Sequence, residues 1–125
     1  MANPNIGEIV RAVEMVTGIR QDDLLGPSRY MRLCVPRWMA WYLARRHTAS
    51  SYPKIARYFG KDHSTVISGI RRVEAIQAQD PAILACVTSV EAVALKFAAM
   101  REEQDSRNVE RLKAGEVRWA RMAAE

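Results

Sequence analysis

The stretch SYPKIARYFGKDHSTVISGIRRV, residues 51–73, holds two helical patterns separated by a short break containing glycine. Ser51 is a capping residue, Pro53 suits an early helical turn, and Ile55, Ala56 and Phe59 supply one apolar side. Gly60 stops that helix. Asp62 stands where the N-cap of the next belongs, and Val66, Gly69, Ile70 and Val73 recur at helical spacing as its inner face. Two helices joined by such a turn make a helix-turn-helix. The chain is expected to be all-α.

Positive charge gathers around this stretch. Between Gly26 and Ala75 lie ten Lys or Arg and two acids, whereas the segments before and after are slightly acidic, for a formal net charge of +5 over the chain. A basic face on a helix-turn-helix is the electrostatic footprint of a DNA binder. With the second helix as reader, its first turn enters the major groove. His63 and Ser64 then offer hydrogen bonds to base edges. Thr65 adds a hydroxyl and a methyl that matches thymine, and Asp62 caps the helix and accepts from cytosine N4. Lys54, Arg57, Lys61, Arg71 and Arg72 surround that tip and suit phosphates.

The 125-residue chain, 49% hydrophobic, reads as one domain or one domain with a helical appendage. Ile6, Ile9, Val10, Val13 and Val16 predict a helix ending at Gly18, followed by a short turn from Asp22 to Leu25. Pro27, Ser28 and Arg29 form a loop, and Tyr30 and Met31, flanked by Arg29 and Arg32, show no helical start. Pro36 is expected in the first turn of the next helix, with Arg37, Arg45 and Arg46 on its polar side. Trp38 and Trp41 do not share the face of Met39 and Leu43, so one of them is expected to be partly exposed. His47 falls at a helix end, where capping accounts for it.

Beyond Asp80-Pro81, Thr88 and Glu91 have capping-box spacing. Val90, Val93, Ala94, Phe97 and Met100 predict an amphipathic helix. A polar break over 102–108 should precede a last helix with Val109, Leu112, Trp119 and Met122, interrupted at Gly115. The expected division is residues 1–78 for reading DNA and 79–125 for a helical extension that pairs with a protein partner or a second copy.

Other function classes lack support. Glu8, Glu14, Asp22 and Asp23 read as a solvated acidic face with no His or Cys among them, so no enzyme is expected. Cys34 and Cys86 are too few for a disulfide framework, and neither histidine has a ligand cluster, so neither metal nor cofactor is expected. The first dozen residues do not read as a signal peptide, and no apolar run suggests a membrane span. A cytoplasmic, nucleoid-associated setting is expected.

Three segments carry a specific resemblance: Pro36 to Arg45 (PRWMAWYLAR), Ser51 to Ile55 (SYPKI) and Phe59 to Val66 (FGKDHSTV). From about Ile6 to Val73 the chain closely resembles domain IV, the C-terminal DNA-binding domain of the bacterial replication initiator DnaA. That implies a Trp repressor-like helix-turn-helix fold, here with extra C-terminal helices. It also implies base contacts in the major groove from Asp62, His63, Ser64 and Thr65. Tyr52 and Pro53 fall where the family touches backbone and thymine methyls, and Arg45 or Arg46 where a late-helix basic residue meets DNA. Arg29 matches the loop arginine that enters the minor groove, with Arg32 beside it, a role suited to narrow A·T-rich grooves. The loop is less basic than is usual in the family.

No Gly-x-x-x-x-Gly-Lys-Ser/Thr loop occurs in these residues, so nucleotide-driven strand opening is not expected of them. The leading expectation is a sequence-specific transcription regulator, an activator by preference. Stand-alone domains of this kind also resemble the DNA-binding component of gene transfer agent activators. The alternative is a replication or copy-number control protein that occupies initiator boxes without ATPase activity.

Overall fold

The computed structural model describes residues 2–124, among which there are six helices and no strand. In chain order they are α1 (Ile6–Thr17), α2 (Gln21–Leu25), α3 (Met31–His47), α4 (Tyr52–Phe59), α5 (His63–Gln79) and α6 (Pro81–Ala124). Helix α1 opens with a reciprocal capping box. The Glu8 N–H donates to Asn5 Oδ1 at 2.8 Å, and the Asn5 N–H donates to Glu8 Oε1 at 3.0 Å. It ends where Gly18 takes φ 76°. Its inner residues Ile9, Val10, Ala12 and Val13 are fully buried.

The long α3 runs through the centre, burying Leu33, Met39, Ala40, Trp41, Leu43 and Ala44. It begins a turn and a half earlier than the sequence suggests. Tyr30 is its N-cap without a side-chain cap bond, so nothing in the sequence marks the start. Pro36 therefore lies inside the helix, where its missing N–H leaves the Arg32 carbonyl without the usual partner. Of the two tryptophans, Trp41 is buried and Trp38 half-buried, as their spacing required. Trp41 lies edge-on to Phe59, with ring centroids 6.0 Å apart. Its buried indole N–H has no hydrogen-bond partner among the described residues.

Helix α5 crosses α3 at Gly69. A Cβ built on Gly69 would lie 2.5 Å from Trp38 Cδ1 and 2.6 Å from Trp41 Cε3. The glycine is there to let two indoles reach the α5 backbone.

The C-terminal segment corrects the sequence reading. Instead of separate helices, α6 is one helix of 44 residues that includes 102–108 and Gly115. Its polar stretch consists largely of good helix formers, helped by the i,i+4 pairs Glu103–Arg107 and Gln104–Asn108. Thr88 is no cap: mid-helix, its hydroxyl donates to the Leu84 carbonyl at 2.8 Å. The core continues across Asp80, with Val87, Val90, Ala94 and Ala98 buried in α6. An 18-residue stretch of α6 reaches a mean hydropathy of 1.8, long and apolar enough to cross a membrane, contrary to expectation. Of that stretch 22% is buried, where one side packs onto the protein core and Glu91 meets the end of α3.

Glu8 is likewise not a solvated acid. It is buried and meets Arg101 of α6, whose Nε donates to Glu8 Oε2 at 3.0 Å. Burial pushes its carboxyl up, but hydrogen bonds from Arg101 and the Asn5 N–H outweigh this and hold it below its ordinary value. Arg101 also donates to the Asn3 carbonyl at 2.9 Å, tying the start of the chain to α6.

Gly69→Ala drives a methyl into both indoles and should lower unfolding free energy by about 1–3 kcal/mol, read from urea denaturation.

Candidate nucleic-acid interface

The helix-turn-helix is assembled locally. Ser51 Oγ accepts from the Lys54 N–H at 3.3 Å, Pro53 lies in the first turn, and Gly60 at φ 65° ends α4. The αL geometry at Gly60 carries the chain through Lys61 and Asp62 into α5. Phe59 and Ile55 anchor α4 below, while Val66, Ile70 and Val73 anchor α5. That leaves Asp62, His63, Ser64 and Thr65 exposed at the tip. Asp62 is the N-cap residue by backbone conformation, yet its carboxylate makes no cap hydrogen bond. The expected side-chain cap is therefore absent, and the group faces outward.

A cleft of about 840 Å³ separates the tip from the loop between α2 and α3. Arg29 borders it on the loop side, and Lys61, Asp62, Thr65 and Arg72 on the other. Trp38 forms part of its wall, with the Arg72 guanidinium 5.5 Å from the indole centroid. Lys61 is half-buried, and its ammonium is pulled below the ordinary lysine value by burial and by the charges of Arg37 and Arg29. Such crowding of cations favours an anion in the cleft.

The loop owes its shape to a residue that sequence reasoning placed on the polar side of α3. Arg37 is buried and directs its guanidinium at four backbone carbonyls. Its Nε donates to Leu24 at 3.0 Å, Nη2 to Asp23 at 2.7 Å and to Gly26 at 2.9 Å, and Nη1 to Ser28. Burial lowers its pKa, which the nearby Asp23 carboxylate partly offsets. One side chain thus holds the whole 23–28 segment and sets where Arg29 stands. Ser68 was also missed: exposed four residues after Ser64, it lines a groove with Ser64, Thr65 and Arg72.

The other predicted residues divide. Arg32, Lys54, Arg57, Arg71 and Pro53 are exposed. Arg71 lies two turns after Ser64 and so shares its face of α5. Arg45 stacks over Tyr52 at 4.5 Å and donates to the Ser50 carbonyl at 3.0 Å, joining the end of α3 to the start of α4. Arg46 is turned toward α6: it donates to the Tyr42 hydroxyl at 2.9 Å and pairs with Glu91 at 3.5 Å. His47 is no cap, since its Nε2 lies 2.6 Å from Glu91 Oε2. Among the described residues no group of three or more His, Cys, Asp or Glu is placed to hold a metal.

This arrangement defines a helix-turn-helix DNA-binding protein in which the first turn of the second helix is exposed beside the loop that carries Arg29. Residues 6–73 match the family described as the bacterial DnaA protein helix-turn-helix, and the chain belongs to that family. It is 41% identical over 76 residues to the chromosomal replication initiator protein DnaA of Roseobacter denitrificans, covering 60% of this chain and 17% of that protein. The Caulobacter vibrioides initiator is 40% identical over 79 residues, covering 62% of this chain and 16% of that one. The chain thus spans about a sixth of the length of these curated relatives. A crystal structure of a DNA replication initiation factor superposes with a TM-score of 0.60 at 31% identity, over 74% of this chain and 30% of that one.

Arg37→Lys keeps the charge but loses the fork, leaving buried carbonyls without donors. It should cost about 2–4 kcal/mol in urea unfolding and speed tryptic cleavage after Arg29.

Proposed function

We propose that this chain occupies DnaA-type initiator boxes in duplex DNA and acts in replication or copy-number control without hydrolysing nucleotide through these residues. The observation that carries the reading is the exposed Asp62–Thr65 turn facing a cation-lined cleft, on a domain related to replication initiators. The expectation of a transcription activator has less behind it, because the relatives are initiators by name. Family membership places the protein with the DNA of the nucleoid, in the cytoplasm.

In this reading His63, Ser64 and Thr65 meet base edges in the major groove, with Asp62 turned to a cytosine amino group. Arg29, held on the loop that Arg37 shapes, enters the neighbouring minor groove, with Arg32 behind it. Lys54, Arg57, Lys61, Arg71 and Arg72 hold phosphates, and Tyr52, Pro53 and Arg45 abut the backbone beside the start of α4. Arg46 is the weakest of the predicted contacts, since Glu91 already neutralises it.

Selection of bound duplexes from a random pool should enrich a site resembling the initiator box. His63→Ala or Ser64→Ala should lose about 1–3 kcal/mol of preference for that site, whereas Arg72→Ala should weaken all duplexes about equally. Chromosome-wide occupancy at promoters with none at the origin would favour regulation instead.

A further inference from the structure

Helix α6 outruns the body it packs on. After Arg101 nearly every residue is exposed, and the segment 102–124 projects roughly 35 Å at 1.5 Å per residue. A free helix of that length gains little from propensity alone, and most helical stability comes from packing an apolar face. Here Leu112 and Trp119, each 69% exposed, continue the line of Val90, Ala94 and Arg101 that faces the body earlier in the same helix. The stripe that buries the first half of α6 therefore runs on with nothing against it.

The charges along this segment say what covers it. Residues 102–110 carry Glu102, Glu103, Asp105 and Glu110 against Arg107, and residues 111–121 carry Arg111, Lys113, Arg118 and Arg121 against Glu116. The first part is acidic and the second basic by the same margin. Side by side and parallel, two copies would set like against like; antiparallel, each acidic part lies along a basic one. We propose that the 102–124 segments of two copies pair antiparallel and make this protein a dimer.

Crossing the copies at Val109 and Leu112 packs each of these on the other's counterpart, a seam of one patch on itself. The same register brings Trp119 alongside Glu102 of the second copy. A cleft of about 470 Å³ opens there, beside Ala2, Arg101, Asp105 and Val109, where α6 leaves the body. The indole then lies against the Arg101 guanidinium, a contact of cation–π type. One feature of the seam opposes pairing: Asp105 of one copy falls opposite Glu116 of the other. If the DNA reading above holds, the centres of the two bodies, near Glu91 of each α6, stand roughly 60 Å apart at 1.5 Å per residue. They would then span separated boxes, not half-sites one helical turn apart.

The dimer does not depend on the DNA reading and is tested without DNA, by sedimentation equilibrium of the full chain across the micromolar range. The wild type should associate as a dimer. Leu112→Asp, on an exposed surface of the monomer, should raise the dimer Kd by about tenfold or more, the effect of losing a buried leucine. Glu116→Lys should lower it about threefold or more by facing Asp105 with opposite charge at two symmetric points. A monomer throughout, or a dimer indifferent to Leu112→Asp, overturns the proposal. A dimer that Glu116→Lys weakens or leaves unchanged overturns the antiparallel arrangement.

Discussion

At Gly69 the α5 backbone meets the rings of Trp38 and Trp41 at a distance that no side chain larger than hydrogen permits. Much of the candidate reading surface is set from that point. The close approach fixes how α5 crosses α3, and the crossing decides which residues of α5 are left outside: the turn at His63 to Thr65, then Ser68, Arg71 and Arg72. Trp38, being only half-buried, serves both sides of the contact. Its ring meets Gly69 and offers a surface to Arg72. A packing constraint between two helices therefore also places a cation at the edge of the cleft.

Arg37 solves the complementary problem on the loop side. A segment between two helices has backbone carbonyls that neither helix satisfies, and a loop that bends back over the protein buries some of them. A guanidinium has a planar fork of donors, which suits several carbonyls converging from one turn of chain. By binding Asp23, Leu24, Gly26 and Ser28 at once, Arg37 makes an irregular segment part of the rigid body. Arg29 is then carried on a shaped support with a defined relation to α5.

How much of this was legible follows from the range of each interaction. Ser51, Gly60 and the run Val66, Gly69, Ile70, Val73 announce α4 and α5 through local capping, αL geometry and periodicity, so the helix-turn-helix was readable within twenty-odd residues. The start of α3 was not, because Tyr30 caps nothing with its side chain and Pro36 mimics a helix beginning. Gly115 and the polar stretch before it resembled a break because weak local preferences count for less than the continuity of a long helix. Arg37 could not be told from the arginines near it, since its partners come from a loop that must fold first. His47 and Glu8 mislead in the same way: the groups they meet, Glu91 and Arg101, lie far along the chain.

Glu91 changes the accounting of charge on this molecule. Ten cations between Gly26 and Ala75 suggest a uniformly basic surface. One of them, Arg37, is spent on carbonyls inside the protein, and Glu91, which also lies within hydrogen-bond distance of His47, answers Arg46 at the far end of α3. The attraction for a polyanion is accordingly lopsided, strong where the loop faces α5 and muted where Glu91 of α6 reaches the end of α3. A duplex bound in the proposed way would release fewer counterions than the composition implies, and would meet this protein on one flank.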